Sequence, residues 1–102
     1  YLQFNSSSST SGPAHFTIEW AEAENTPFNQ WNHVANYTVC DINNSQQLMQ
    51  YVFKLPDAVK GKSNLVIRLR VNSQERATLN GSSIGTSGTN RLGFIRITQL
   101  KN

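Results

Sequence analysis

Asn64-Leu65-Val66-Ile67-Arg68-Leu69-Arg70-Val71 is the stretch on which the fold turns. Leu65, Ile67, Leu69 and Val71 recur at every second position, with Arg68 and Arg70 between them. Side chains alternate across the two faces of a β-strand, so this pattern reads as a strand with its aliphatic face inward and its arginines outward. His15-Phe16-Thr17-Ile18-Glu19-Trp20 repeats the pattern, with Phe16, Ile18 and Trp20 on one face and Thr17 and Glu19 on the other. Gln50-Tyr51-Val52-Phe53-Lys54-Leu55 alternates again and stops at Pro56.

Outward from these three, residues 1–4 read as a strand, and the serine-rich residues 5–12, closed by Pro13, as a polar turn or loop. Asn25, Pro27 and Asn29 break residues 22–30 into a loop bearing Phe28. Residues 31–40 read as a strand of undecided facing: Trp31, His33, Ala35, Tyr37 and Val39 share one side, Val34, Asn36, Thr38 and Cys40 the other. Residues 41–45 are a turn by composition, and residues 57–62 suit one helical turn capped by Gly61. Asn80-Gly81 predicts a tight turn in a short hairpin over residues 77–84, and residues 91–100 form the last strand.

No segment is long enough for a crossover helix, so parallel strands joined in the βαβ manner are excluded. The expectation is an all-β, antiparallel β-sandwich in a single domain over residues 1–102. Five or six strands leave a long edge exposed unless further strands close it, which suggests a missing N-terminal strand. An abrupt start in strand-like sequence also suits a domain of a larger protein.

Composition narrows the function. Charged residues are only 15% of the chain, and its nine Lys and Arg give a net charge of +3 without forming a basic run. Nucleic acid is therefore not an expected partner. No stretch approaches the ~20 apolar residues of a membrane-spanning helix. A single cysteine, Cys40, rules out an internal disulfide and any multi-cysteine metal site. His15 and His33 lack a second ligand at short spacing, so no metal site is expected.

Candidate catalytic groups are few. Cys40 and His33, seven residues apart on one strand, fall on opposite faces unless a bulge intervenes. Glu22 and Glu24 sit where a strand runs into a loop, a solvated setting unlike that of a glycosidase acid pair. Arg68, Arg70 and Arg96 share an outward face if their strands are neighbours, with Glu19 or Glu75 as ion-pair partners. The triplets beginning at Asn5, Asn36 and Asn80 match the glycosylation acceptor pattern, which Asn/Ser-rich chains generate by chance.

Taken in order, Tyr1-Leu2-Gln3-Phe4, Phe16-Thr17-Ile18-Glu19-Trp20, Tyr37-Thr38-Val39, Phe53-Lys54-Leu55-Pro56, Val66-Ile67-Arg68-Leu69 and Gly88-Thr89-Asn90-Arg91-Leu92-Gly93-Phe94-Ile95-Arg96-Ile97-Thr98 resemble the C-terminal two-thirds of galactose-binding-like jelly-roll domains. The resemblance implies a jelly-roll-like sandwich. It also implies a non-catalytic, extracytoplasmic accessory domain of a secreted or cell-surface bacterial protein, with glycan and other domains of the same chain as partners. Relatives often place an acidic residue, sometimes linked with structural calcium, two positions after the loop arginine; here that position is Gly93, which argues against calcium and leaves no cofactor expected.

Sugar recognition uses flat aromatic faces and planar polar groups. On this reading Trp31, Phe28 and Tyr37 are the ring candidates, with His33, Asn90 and Arg91 as principal polar partners and Asn29, Gln30 and Asn32 nearby. Trp20 is assigned to the core. The alternative is a structural spacer or assembly domain in which the aromatics are buried.

Overall fold

A computed structural model describes residues 1–40 and 48–98. The turn expected at residues 41–45 and the end of the last strand at Leu100 lie outside the described residues. Six strands follow one another: β1 (Leu2–Ser8), β2 (His15–Ala21), β3 (Asn32–Thr38), β4 (Met49–Phe53), β5 (Val66–Val71) and β6 (Asn90–Ile97). They form two antiparallel three-stranded sheets, ordered β4-β1-β6 and β3-β2-β5. No helix among the described residues is long and apolar enough to cross a membrane.

The inward halves of the alternating strands meet between the sheets. Leu2 and Phe4 of β1, Phe16 and Ile18 of β2, Tyr37 of β3, and Val39 and Leu55 make one buried cluster. Tyr37 is its hub: its ring lies 4.9 to 5.9 Å from those of Phe4, Phe16, Tyr51 and Phe53. Each such aromatic pair adds about 0.5–1.5 kcal/mol beyond the area it buries, so this small core leans heavily on rings. Tyr51 donates its hydroxyl to the carbonyl of Thr38 at 2.6 Å, tying β4 to the end of β3. Burial, aided by nearby Cys40, pushes the Tyr51 phenol up to about 12.

Trp20 is buried, as its place on the apolar face of β2 predicts. The serine run is not a loop: Ser6, Ser7 and Ser8 continue β1 and are buried. Backbone pairing with β4 and β6 carries the strand this far. The hydroxyls of Ser6 and Ser8 each accept from the Asn90 amide at 3.0 Å, and Ser8 donates to the carbonyl of Pro13 at 2.7 Å. Polar residues are tolerated inside because their partners are supplied.

A bulge in β3 settles the facing left open by the sequence. Ile18 pairs with Ala35 but Glu19 pairs with His33, so Val34 is an extra residue that shifts the alternation. Tyr37 and Val39 therefore point inward, while His33 stands on the outer face beside Glu19. Asp57–Val59 forms a single 3₁₀ turn, with Gly61 at φ 75° just beyond it. Around Asn80-Gly81 the backbone turns as expected, but only an isolated bridge between Glu75 and Ser83 forms instead of a strand hairpin.

Candidate functional site

The outer face of the β3-β2-β5 sheet collects most of the polar side chains that have specific partners. His15, Thr17 and Glu19 project from β2 because Phe16, Ile18 and Trp20 take its inner side. Their cross-strand neighbours are Thr38, Asn36 and His33 on β3, and Arg70 and Arg68 stand opposite Thr17 and Glu19 on β5. His15 lies between Thr38 Oγ1 at 3.0 Å and Glu75 Oε1 at 2.8 Å. Thr17 donates to Asn36 Oδ1 at 2.9 Å and accepts from Asn72 Nδ2 at 2.7 Å, while His33 Nε2 lies 3.2 Å from the same Asn36 oxygen.

Glu19 anchors one end of this row. Its carboxylate oxygen Oε1 accepts from Arg68 Nε at 2.8 Å and from Arg70 Nε at 3.0 Å. Burial alone would push the Glu19 carboxyl up, but the hydrogen bonds and charges of Arg68 and Arg70 outweigh it and hold the group below the usual carboxylate range. Charge-assisted bonds are about twice as strong as neutral ones, so both guanidiniums are fixed in place.

The loop between β2 and β3 folds down onto those guanidiniums. A 3₁₀ turn, Phe28–Gln30, puts the Phe28 carbonyl 2.7 Å from Arg68 Nη2. The Arg68 guanidinium carbon lies 4.6 Å from the Phe28 ring centroid and 4.5 Å from that of Trp31, and that of Arg70 lies 5.3 Å from Phe28. Cation–π contacts of this kind contribute roughly 0.5–1 kcal/mol each when exposed. Trp31 Nε1 donates to the carbonyl of Thr26 at 3.0 Å, and Lys62 holds Glu22 at 3.3 Å, so the loop is tied down at several points. Phe28 nevertheless remains 68% exposed. The surface offers a flat apolar ring, a half-buried indole, two oriented guanidiniums and a neighbouring amide.

Of the ligand-contacting residues expected from sequence, the structure groups Phe28, Trp31 and His33 at this end of the sheet. It removes Tyr37, whose ring is 7% exposed in the core and whose hydroxyl has no partner there. Asn90 and Arg91 belong to β6 in the other sheet, opposite Ser8 and Ser7. Ser8 leads through a short loop to the His15 end of β2, whereas Trp31 adjoins Asn32 at the Trp20 end. Five residues of strand, about 17 Å, separate those two ends, so Asn90 and Arg91 do not join Trp31 in one site. The Asn90 amide is instead engaged by Ser6 Oγ, the Ser7 carbonyl and Ser8 Oγ, each at 3.0 Å.

Arg96 likewise pairs with Gln3 of β1, so the expected stripe of three arginines reduces to Arg68 and Arg70. The bulge puts His33 and Cys40 in no closer relation, since His33 pairs at Glu19 and Cys40 lies beyond the His15–Thr38 pair at the far end of β3. Sequence reasoning treated Glu19, Arg68 and Arg70 as an ordinary solvated face. The signal was present in their matching outward positions, but only strand register shows that one carboxylate serves both arginines. No family model matches the sequence, and no similar curated protein or solved structure was found.

Proposed function

We propose that this chain is a non-catalytic, carbohydrate-binding accessory domain of a secreted or cell-surface protein. Glycan is taken on the outer face of the β3-β2-β5 sheet around Phe28, Trp31, Arg68 and Arg70. The observation that carries this reading is the Phe28 ring, largely exposed yet held in position by its carbonyl and its face on guanidiniums bound to Glu19. A ring fixed before binding loses little entropy when a sugar stacks on it. Arg70, Asn36 and His33 stand alongside with planar groups suited to hydroxyls. A binding role rather than catalysis is supported by the state of the acids: Glu19 is held ionised by two arginines and Glu22 is paired with Lys62.

Jelly-roll connectivity is part of the same proposal. The β2–β3 hairpin in one sheet and the β1–β4 ladder in the other are successive rungs of one ribbon folded across the two layers, which is how a jelly roll is wound. A spacer or assembly role is the second reading, favoured by the exposed apolar residues on β6.

Affinity electrophoresis through gels containing single neutral, uronic-acid or sulfated polysaccharides tests the proposal. Retardation by at least one polysaccharide is expected, weakened about tenfold or more in Phe28→Ala, a change worth about 1.4 kcal/mol. Phe28→Ala should leave the urea midpoint nearly unchanged, because the ring is mostly outside the fold. Absence of retardation across the series, or equal retardation of Phe28→Ala, would sink the glycan reading.

A further inference from the structure

We infer that the flank formed by β5 and β6 is a docking surface for a polypeptide segment carrying two β-strands, one pairing with each open edge. This rests on the ribbon winding just described and not on the glycan reading. In that ribbon β2 faces β3 and β1 faces β4, while β5 and β6 prolong one arm with no partner on their outer sides.

Exposure of inward-facing residues marks the flank as unfinished. Side chains directly opposite each other in a ladder point to the same face. Leu2 is 2% exposed but its β6 partner Ile97 is 54%; Ser6 is 0% and its partner Leu92 is 44%. On the other sheet Phe16 is 4% exposed and its β5 partner Val71 is 41%. The opposite flank shows no such contrast, because Tyr37 of β3 packs directly on Tyr51 and Phe53 of β4. At the end where β5 begins and β6 finishes, a cleft of about 520 Å³ opens between Tyr1, Leu55, Val59, Leu65, Ile97 and Thr98. An apolar side chain from an added strand would fit there. Phe94 sits in the β1–β6 bulge at φ 53°, a backbone state that bulky residues avoid, and its ring is 80% exposed. A covering strand would give that ring contacts.

Charge selects the occupant. If β6 paired with β6 of a second copy about its centre, Gly93 opposite Phe94, then Arg91 would face Arg96 twice, and like charges directly opposite are destabilising. A strand with acidic residues on its solvent side and apolar residues on its inner side meets both requirements. The occupant is therefore a foreign acidic β segment and not a second copy.

The probe is a synthetic peptide of two strands, each about eight residues of alternating valine and glutamate, joined by a Gly/Ser linker. A second peptide carries lysine in place of glutamate. Amide hydrogen exchange of the full chain should slow about tenfold or more in both β5 and β6 with the glutamate peptide, and not with the lysine peptide. Ile97→Asp, at an already exposed position, should abolish that protection while leaving polysaccharide retardation intact, which separates this inference from the glycan reading. Protection of β3 and β4 instead would overturn the ribbon winding. No protection by the glutamate peptide, or a peptide-independent dimer in sedimentation that Ile97→Asp dissolves, would overturn the inference itself.

Discussion

Replacing Glu19 by Gln keeps the size of the side chain and removes its charge, leaving Arg68 and Arg70 side by side without a counter-ion. Two charge-assisted hydrogen bonds, of the class that contributes about 1.5–3 kcal/mol each, are affected. Gln retains a weaker acceptor, and the arginine side chains are 21% and 32% exposed, so solvent recovers part of the loss. A net destabilisation of about 2 kcal/mol at pH 7 follows, equivalent to roughly 8–16 °C in Tm for a domain of this size. The pH dependence is more diagnostic. Glu19 is held below the usual carboxylate range, so its contribution is fully present above the unfolded-state carboxylate pKa and disappears as pH falls through the lower folded value. Urea unfolding of both proteins, followed by tryptophan fluorescence from pH 7 down to pH 2, should show their stabilities converging at the acid end. A gap that persists undiminished to pH 2, or no gap at pH 7, refutes the role assigned to the carboxylate.

Two other substitutions probe the frame. Tyr37→Phe removes a buried hydroxyl that has no partner and should raise stability by about 1 kcal/mol, read as a higher urea midpoint with the slope unchanged. A lower midpoint would mean that the hydroxyl is satisfied after all. Asn90→Ala leaves the buried Ser6 and Ser8 hydroxyls without its amide and should cost about 1–3 kcal/mol, with faster amide exchange in β1 and β6 before any change in β2 or β3.

The strands with strict alternation were legible without coordinates. In β2 and β5 every second residue is apolar and the faces are as read, because each strand is paired in regular register with the other. The misreadings share one cause, since they depend on what lies across the ladder. Ser6, Ser7 and Ser8 are polar enough to suggest a loop, and only the Asn90 amide eighty-odd residues away makes them tolerable inside. A single extra residue at Val34 separates Tyr37, in the core, from His33, on the outer face, and nothing in the composition of β3 announces that bulge. Phe28 and Trp31 were recognisable as loop aromatics, whereas the carboxylate and guanidiniums beneath them come from strands forty-nine or more residues apart in sequence.

The most direct test of the proposed surface is NMR titration of the uniformly ¹⁵N-labelled chain with an oligosaccharide from whichever polysaccharide retards it. The indole N–H of Trp31 and the Nε–H signals of Arg68 and Arg70 should shift together and saturate at one concentration, with the Trp20 indole unmoved. Shifts confined to β6, or spread evenly without saturation, would contradict the account.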